Sequence, residues 1–472
     1  MPMAVVLIPF ATGIFFANEV AAPFWLLLVA GIASLVGAVA LTEWWRRVAL
    51  TVLIFSIGAT LHTLSYRGEI PYNQPLEMVL RIDQSSATRE GYTSAKARVV
   101  ECKNRIVEGQ NVVVWGDSLL HFRAGDRLHL TTPIRRFRTE RKEYARLMHH
   151  RGFTGSVSLN HRATYHYIPA KQLAPHDWAV ERLRSTMNEG DARAVVVAMT
   201  TGERSEIRNE IRQTYSASGT SHLLAVSGLH IGIAFILINL LLFPLGLVRY
   251  GNIIRPVVAV ALIWLYVWLC GMSPSAVRSA IMFSLLQISL SSLRDYSGIN
   301  ALASTAFLML LCDTNLLFDI SFQLSFIAVG GILLWAIPLY MRCITHSRIA
   351  NMIIGALLVG FASTVATMPL VSSTFANVSL VGIFINPLVV LLANIIVLFG
   401  IVALAFPPLA VVAEWTASLQ NRVVEWATLL PYSHFEFRLS QGWVWAIYAL
   451  FIIATMVLFS QSKAKRVGKI ED

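Results

Sequence analysis

Long apolar runs dominate this chain and are interrupted once. They lie at about 3–20, 23–41 and 48–66, then resume near 223–248, 253–270, 274–293, 299–317, 320–341, 351–371, 379–405 and 443–460. A helix crosses a bilayer core of about 30 Å with roughly 18 or more apolar residues. The first run lacks the Lys/Arg leader of a secretory signal, so it reads as a membrane helix rather than a signal peptide. The pattern predicts a polytopic α-helical membrane protein with one inserted soluble region.

That region, 67–222, contains no spanning run. Short alternating segments at Lys96–Cys102, Asn111–Asp117, Asp126–Ile134, Gly155–Asn160 and Ala163–Pro169 predict five strands divided by polar, glycine-containing turns. A small β-barrel or sandwich follows, and five is the strand count of an OB-fold. Residues 171–222 are charged and helix-permissive, with helices expected over Asp177–Asn188 and Asp191–Ser216. The expected organisation is therefore N-terminal membrane helices (1–66), a basic OB-like domain (67–170), a helical connector (171–222) and a membrane domain (223–472).

Composition agrees with the pattern. Hydrophobic residues make up 56% of the 472 and charged residues 14%, with a mean hydropathy of +0.61. Soluble domains carry about 25% charged residues, so an ordinary soluble enzyme is excluded, as are disordered and disulfide-stapled chains. The four cysteines, Cys102, Cys270, Cys312 and Cys343, show no C-x-x-C spacing and are expected to pack rather than react. Neither a metal nor a cofactor is expected.

Charge placement sets an orientation. Trp44-Trp45-Arg46-Arg47 sits between the second and third runs, and the tail carries Lys463, Lys465, Arg466 and Lys469. Positive loops stay inside, so both termini are expected in the cytoplasm and 67–222 on the outer side of the membrane. Yet 67–170 holds 17 Lys/Arg against 10 Asp/Glu, within a chain of net charge +11. A basic domain placed outside is explained by an anionic ligand. Between 135 and 153 lie Arg135, Arg136, Arg138, Arg141, Lys142, Arg146 and Arg151, with Tyr144 and Phe153 interleaved. Single-stranded nucleic acid binds through such a positive groove with aromatic faces that stack on bases. A solvated basic face, or one on anionic lipid headgroups, is the competing reading.

Chemistry inside the membrane centres on two stretches. In the first, His222, Ser227, Gly228 and His230 enter the membrane together, and Ser227 and His230 are neighbours at i and i+3. A serine nucleophile with its base is one reading, although the G-x-S-x-G elbow is missing. Close helix approach at Ser and Gly, with His bonding across an interface, is the other. In the second, Ser275, Arg278, Ser279 and Ser289 project within roughly a 100° arc of one helix. Asp319 and Gln323 are i and i+4 on another. An intramembrane arginine either lines an anion path or pairs with Asp319 to fix packing.

The motifs then add a resemblance. Thr201-Gly-Glu-Arg204 and Tyr215-Ser-Ala-Ser-Gly-Thr-Ser-His222-Leu-Leu-Ala-Val-Ser227-Gly-Leu-His230-Ile-Gly resemble the core signature of the ComEC family. Pro274-Ser-Ala-Val-Arg278-Ser-Ala-Ile-Met, Asp319-Ile-Ser-Phe-Gln323-Leu-Ser-Phe and Ala366-Thr-Met-Pro369 look like later blocks of the same family, in order. Ala124-Gly-Asp126-Arg-Leu and Tyr144-Ala-Arg146-Leu-Met-His-His-Arg151-Gly-Phe are similar to its OB-like insertion. The resemblance implies an inner-membrane channel that takes up single-stranded DNA in bacterial transformation, and not an enzyme. Many members continue into a metallo-β-lactamase-like domain, of which no H-x-H-x-D-H run occurs here, so the resemblance is to the short form.

No phosphate-binding loop G-x-x-x-x-G-K-[ST] is present. Moving one negative charge inward against an inside-negative potential costs about 2.3 kcal/mol per 100 mV. The expected partners are thus single-stranded DNA, membrane lipid, a periplasmic DNA receptor, a separate nuclease, and a cytoplasmic translocase or strand-binding protein that supplies the work. A secondary transporter for a small anionic solute and an intramembrane serine hydrolase are the alternatives.

Overall fold

The computed structural model describes residues 2–20, 23–40, 42–65, 71–89, 92–117, 122–123, 125–137, 148, 152–159, 165–170, 174–291, 297–375, 377–379, 381–430 and 435–468. Three N-terminal helices, α1 (Pro2–Glu19), α2 (Phe24–Ala40) and α3 (Glu43–Ser65), pack as one group, α3 touching both others. The α1–α3 crossing is close because Gly13 faces the Phe55 backbone and Gly58 faces that of Phe10, so a Cβ on either glycine would strike a carbonyl. Small residues allow this kind of approach between helices in lipid.

Six strands follow: β1 (Pro75–Arg89), β2 (Tyr92–Cys102), β3 (Asn111–Asp117), β4 (Arg127–Pro133), β5 (Phe153–Ser158) and β6 (Tyr165–Ile168). They form one open sheet in the order β5-β3-β2-β1-β4-β6, with β3 and β5 parallel and the other pairs antiparallel. Its inner face is Met78, Leu80, Ile82, Ala97, Val99, Val112, Val114, Leu128, Leu130 and Val157. Five strands were expected. The additional one, β1, alternates at Met78, Leu80 and Ile82, but Val79 stands in the outward register and blurs its period.

The connector holds α4 (Pro175–Arg184), α5 (Asp191–Thr201) and α6 (Asn209–Ala217). A single helix over 191–216 was expected. Instead α5 stops at Gly202, which adopts φ +89° and bonds back to the Ala198 carbonyl. That left-handed turn is open to glycine and ends the helix. Helix α5 is apolar nearly all round, with Val195 to Met199 fully buried between two later helices.

The membrane domain comprises α7 (Gly228–Leu241), α8 (Gly251–Leu269), α9 (Pro274–Ser291), α10 (Gly298–Cys312), α11 (Ile320–Gly331), α12 (Ile337–Arg342), α13 (Arg348–Phe375), α14 (Val381–Ala405), α15 (Ala410–Thr428) and α16 (Gln441–Gly468). A π-turn at Ile332–Ala336 joins α11 to α12 in one apolar rod. Among the described residues five helices are long and apolar enough to span: Glu43–Leu64, Gly251–Leu269, Ile320–Arg342, Arg348–Phe375 and Phe384–Ala405. Five shorter apolar helices accompany them. Their outward surfaces expose Leu240, Leu247, Ile253, Met352, Phe384 and Ile453, as a lipid-facing bundle requires. Trp415, Trp426, Trp443 and Trp445 are exposed too. Of the cysteines Cys270 is buried, whereas Cys312 and Cys343 are exposed and do not pack into a core.

Candidate functional site: a buried serine, histidine and arginine seam

The site is built where the start of α7 meets the start of α9. The chain makes a 3-10 turn at Ser221–Leu224, which carries an exposed His222, then reaches Ser227 as the N-cap of α7. Ser227 and His230 form a reciprocal capping box, in which the Ser227 backbone N–H donates to His230 Nδ1 at 3.3 Å. A helix start leaves backbone N–H groups without partners, and this exchange satisfies two of them. The pair is thus occupied with folding the helix. A serine nucleophile would need the imidazole to accept from its hydroxyl, and here the accepting nitrogen faces the backbone.

Across from this cap lies Arg278. Its side chain is buried at 5% exposure, and Nη2 lies 3.5 Å from both Ser275 Oγ and Ser279 Oγ. The Phe326 ring of α11 sits 5.8 Å below the guanidinium. A Cβ on Gly228 would stand 3.0 Å from Ser279 Oγ and 3.3 Å from Arg278 Nη2, so the α7 start packs directly on the arginine. Of the four residues that the helical projection grouped, Ser275, Arg278 and Ser279 meet in this cluster, and Ser289 is not among the contacts of the guanidinium.

The pairing of Arg278 with Asp319 does not occur. Asp319 instead caps α11, accepting from the backbone of Ser321 at 2.8 Å and Phe322 at 3.1 Å. Gln323 donates to the Leu317 carbonyl at 2.9 Å. Both side chains hold the turn before α11, as an N-cap aspartate does. Arg278 forms no ion pair among the described residues, and its Nε and Nη1 have no hydrogen-bond partner there. His230 Nε2 is likewise unpartnered and buried.

Two long-range supports of the fold were hidden in the sequence. His176 of α4 donates through Nδ1 to the Leu269 carbonyl at 2.8 Å, and its Nε2 lies 3.7 Å from Glu203. Burial pushes this histidine down, but Glu203, the Leu269 carbonyl and Asp177 outweigh it and hold the imidazole above its ordinary value. Burial pushes Glu203 up, and His176 with Ser205 outweighs that, leaving the carboxyl below its ordinary value. The second support is Tyr215, fully buried, which donates to Asn421 Oδ1 at 2.7 Å and accepts from Gln420 Nε2 at 3.0 Å. Its partners stand over 200 positions later, so no local spacing could signal them.

The basic stretch is only partly described. Arg138, Arg141, Lys142, Tyr144, Arg146 and Arg151 lie outside the described residues. Arg135 and Arg136 are exposed, and the Arg136 guanidinium stacks 4.6 Å from the Tyr72 ring. Phe153 is buried at 8% exposure, with Lys96 over its ring at 5.7 Å. That ring packs into the sheet, so little of it is exposed to a base.

Helical spans, an inserted sheet and a buried polar seam define a multi-pass membrane protein. The competence protein family matches residues 199–462, more than half the chain, so the chain belongs to that family, the ComEC family. An uncharacterised protein of Aquifex aeolicus is 27% identical over 254 residues, covering 53% of this chain and 57% of that protein. ComE operon protein 3 of Bacillus subtilis is 30% identical over 215 residues, 45% of this chain and 26% of that protein. Recombination protein 2 of Haemophilus influenzae is 34% identical over 151 residues, 30% of this chain and 18% of that protein. The chain thus spans between about a fifth and just over half the length of these curated relatives. No solved structure matches it.

Proposed function

We propose that this chain is an inner-membrane channel through which one strand of DNA enters during transformation. The observation that carries the reading is Arg278, buried in the bundle with two guanidinium nitrogens unpartnered and no carboxylate paired to it among the described residues. A charge in that setting is costly unless water or an anion meets it. His230 Nε2 and, on α14, Asn386 Oδ1 and Asn394 Oδ1 are further buried polar atoms without partners among the described residues, and α14 packs against α7. Such atoms call for water, and a hydrated seam with one fixed cation suits a passing phosphate backbone.

In this reading the sheet domain lies outside the membrane, both termini lie inside, and the domain receives the strand. An OB-like barrel is supported by the strand order, the parallel β3–β5 pair and the Arg135–Ser156 bridge, which brings the end of β4 to β5. The stretch from Arg135 to Arg151 would add positive surface to it. The pathway is passive, so a periplasmic receptor, a separate nuclease and a cytoplasmic translocase or strand-binding protein complete it. The test is transformation by an Arg278→Ala strain whose protein reaches the membrane in normal amount. The reading expects DNA to accumulate outside the inner membrane with loss of entry; unchanged entry would refute it.

A further inference from the structure

On the outward face of the sheet, three adjacent strands place an arginine in the same row. The register pairs Arg98 of β2 with Arg81 of β1, and Arg81 with Arg127 of β4. The row continues to Asn111 on β3 and Ile168 on β6. Each arginine alternates with buried neighbours: Ala97 and Val99, Leu80 and Ile82, Asp126 and Leu128. All three guanidinium groups therefore project from one surface.

Among the described residues one acid pairs with the row. Asp83 pairs with Arg81 at 3.1 Å and with Arg98 at 3.5 Å, and Arg98 also reaches Asn111 Oδ1 at 3.3 Å. Arg127 has no partner among the described residues. Its neighbour Asp126 is buried and turned inward, accepting from the Arg123 and Ala170 backbones and from the Tyr167 hydroxyl. Like charges set directly opposite on paired strands destabilise a sheet. Three in a row, with a single shared carboxylate among the described residues, is an arrangement that suits a ligand rather than the fold.

We propose that this arginine row is a docking site for the phosphate backbone of single-stranded DNA, distinct from the Arg135–Arg151 stretch; the proposal rests on the uptake reading above. Strands lie about 4.8 Å apart, so the row is a straight line of cations across roughly 10 Å of sheet. A straight line suits a linear polyanion. Arginine forks two parallel hydrogen bonds to a phosphate, which lysine cannot do. Anionic lipid is the competing occupant, but a membrane-docking face inserts several bulky apolar side chains, and among the described residues Ile168 is the one apolar member of this row, with Tyr165 and Tyr167 exposed beside it on β6.

The experiment measures binding of a labelled oligodeoxythymidylate to the full chain in zwitterionic nanodiscs across a salt series. Single strands lose about 0.7 in the slope of log K against log salt per neutralised phosphate. The triple variant Arg81→Gln, Arg98→Gln, Arg127→Gln should bind more than about tenfold more weakly and flatten that slope by about 2. Arg127→Gln breaks no observed contact, so it folds as wild type does and should flatten the slope by about 0.7. The all-lysine triple variant should keep the slope and lose part of the affinity. Unchanged affinity and slope in both Gln variants would overturn the row. So would a loss of binding to phosphatidylglycerol vesicles with oligonucleotide binding intact. Neither result touches the membrane path, which the Arg278→Ala strain tests by itself.

Discussion

Gly228 at the start of α7 lies against Arg278 on α9, so close that a Cβ there would stand 3.3 Å from Nη2 and 3.0 Å from the neighbouring Ser279 Oγ. The contact sets how deeply the guanidinium sits between the two helices. Overpacking a filled site costs about 1–3 kcal/mol, and here the group forced aside is the arginine proposed to line the path. Gly228→Val should therefore cut DNA uptake by about tenfold or more, since 1.4 kcal/mol is already a factor of ten. Gly228→Ala should give a partial loss. Transformation frequency, normalised to protein in the membrane, reads both. Equal uptake by wild type and the valine variant would show that the cap does not position Arg278.

The His176–Glu203 pair makes a pH-dependent contribution whose sign follows from its shifts. His176 is held above its ordinary 6.5, so its share is fully present below 6.5 and is lost as pH rises through the raised value. Glu203 is held below 4.5, so its share is present above 4.5 and is lost as pH falls through the lowered value. Together they stabilise most between those two ordinary values. The difference in unfolding temperature between wild type and His176→Gln in detergent should be greatest in mild acid and shrink in alkali. A difference that grows with pH would contradict the pairing.

Tyr215 joins α6 to α15 through one buried hydroxyl. Removing it leaves Asn421 Oδ1 and Gln420 Nε2 without that partner, and an unsatisfied buried group costs about 1–3 kcal/mol. Tyr215→Phe should lower the unfolding temperature, while adding Gln420→Leu should cost less than the sum of the two single changes. Additive losses would mean the two residues do not act as a pair.

Much of this architecture is legible in the sequence because lipid imposes long apolar windows. The run expected at 253–270 is α8 at Gly251–Leu269, and that at 379–405 is α14 at Val381–Ala405. The site is legible where its members share a helix, as Ser275, Arg278 and Ser279 do. It fails where a residue has two uses. The sequence offers Asp319 as a partner for Arg278, and in the structure the local backbone N–H groups win because they sit two and three residues away. Ser227 and His230 read either as a nucleophile with its base or as helix-packing residues, and the capping box explains their spacing. The long-range links, His176 to Glu203 and Tyr215 to Gln420, depend on helix packing that no local spacing encodes.

The central claim is that Ser275 and Arg278 border water that a DNA strand can occupy. It is tested most directly by Ser275→Cys in a chain whose Cys102, Cys270, Cys312 and Cys343 have been replaced. A charged, membrane-impermeant thiol reagent is applied, with and without transforming DNA. The account predicts that Cys at 275 reacts and that its reaction slows while DNA is passing. A thiol that never reacts, or reacts at the same rate with DNA present, would contradict it.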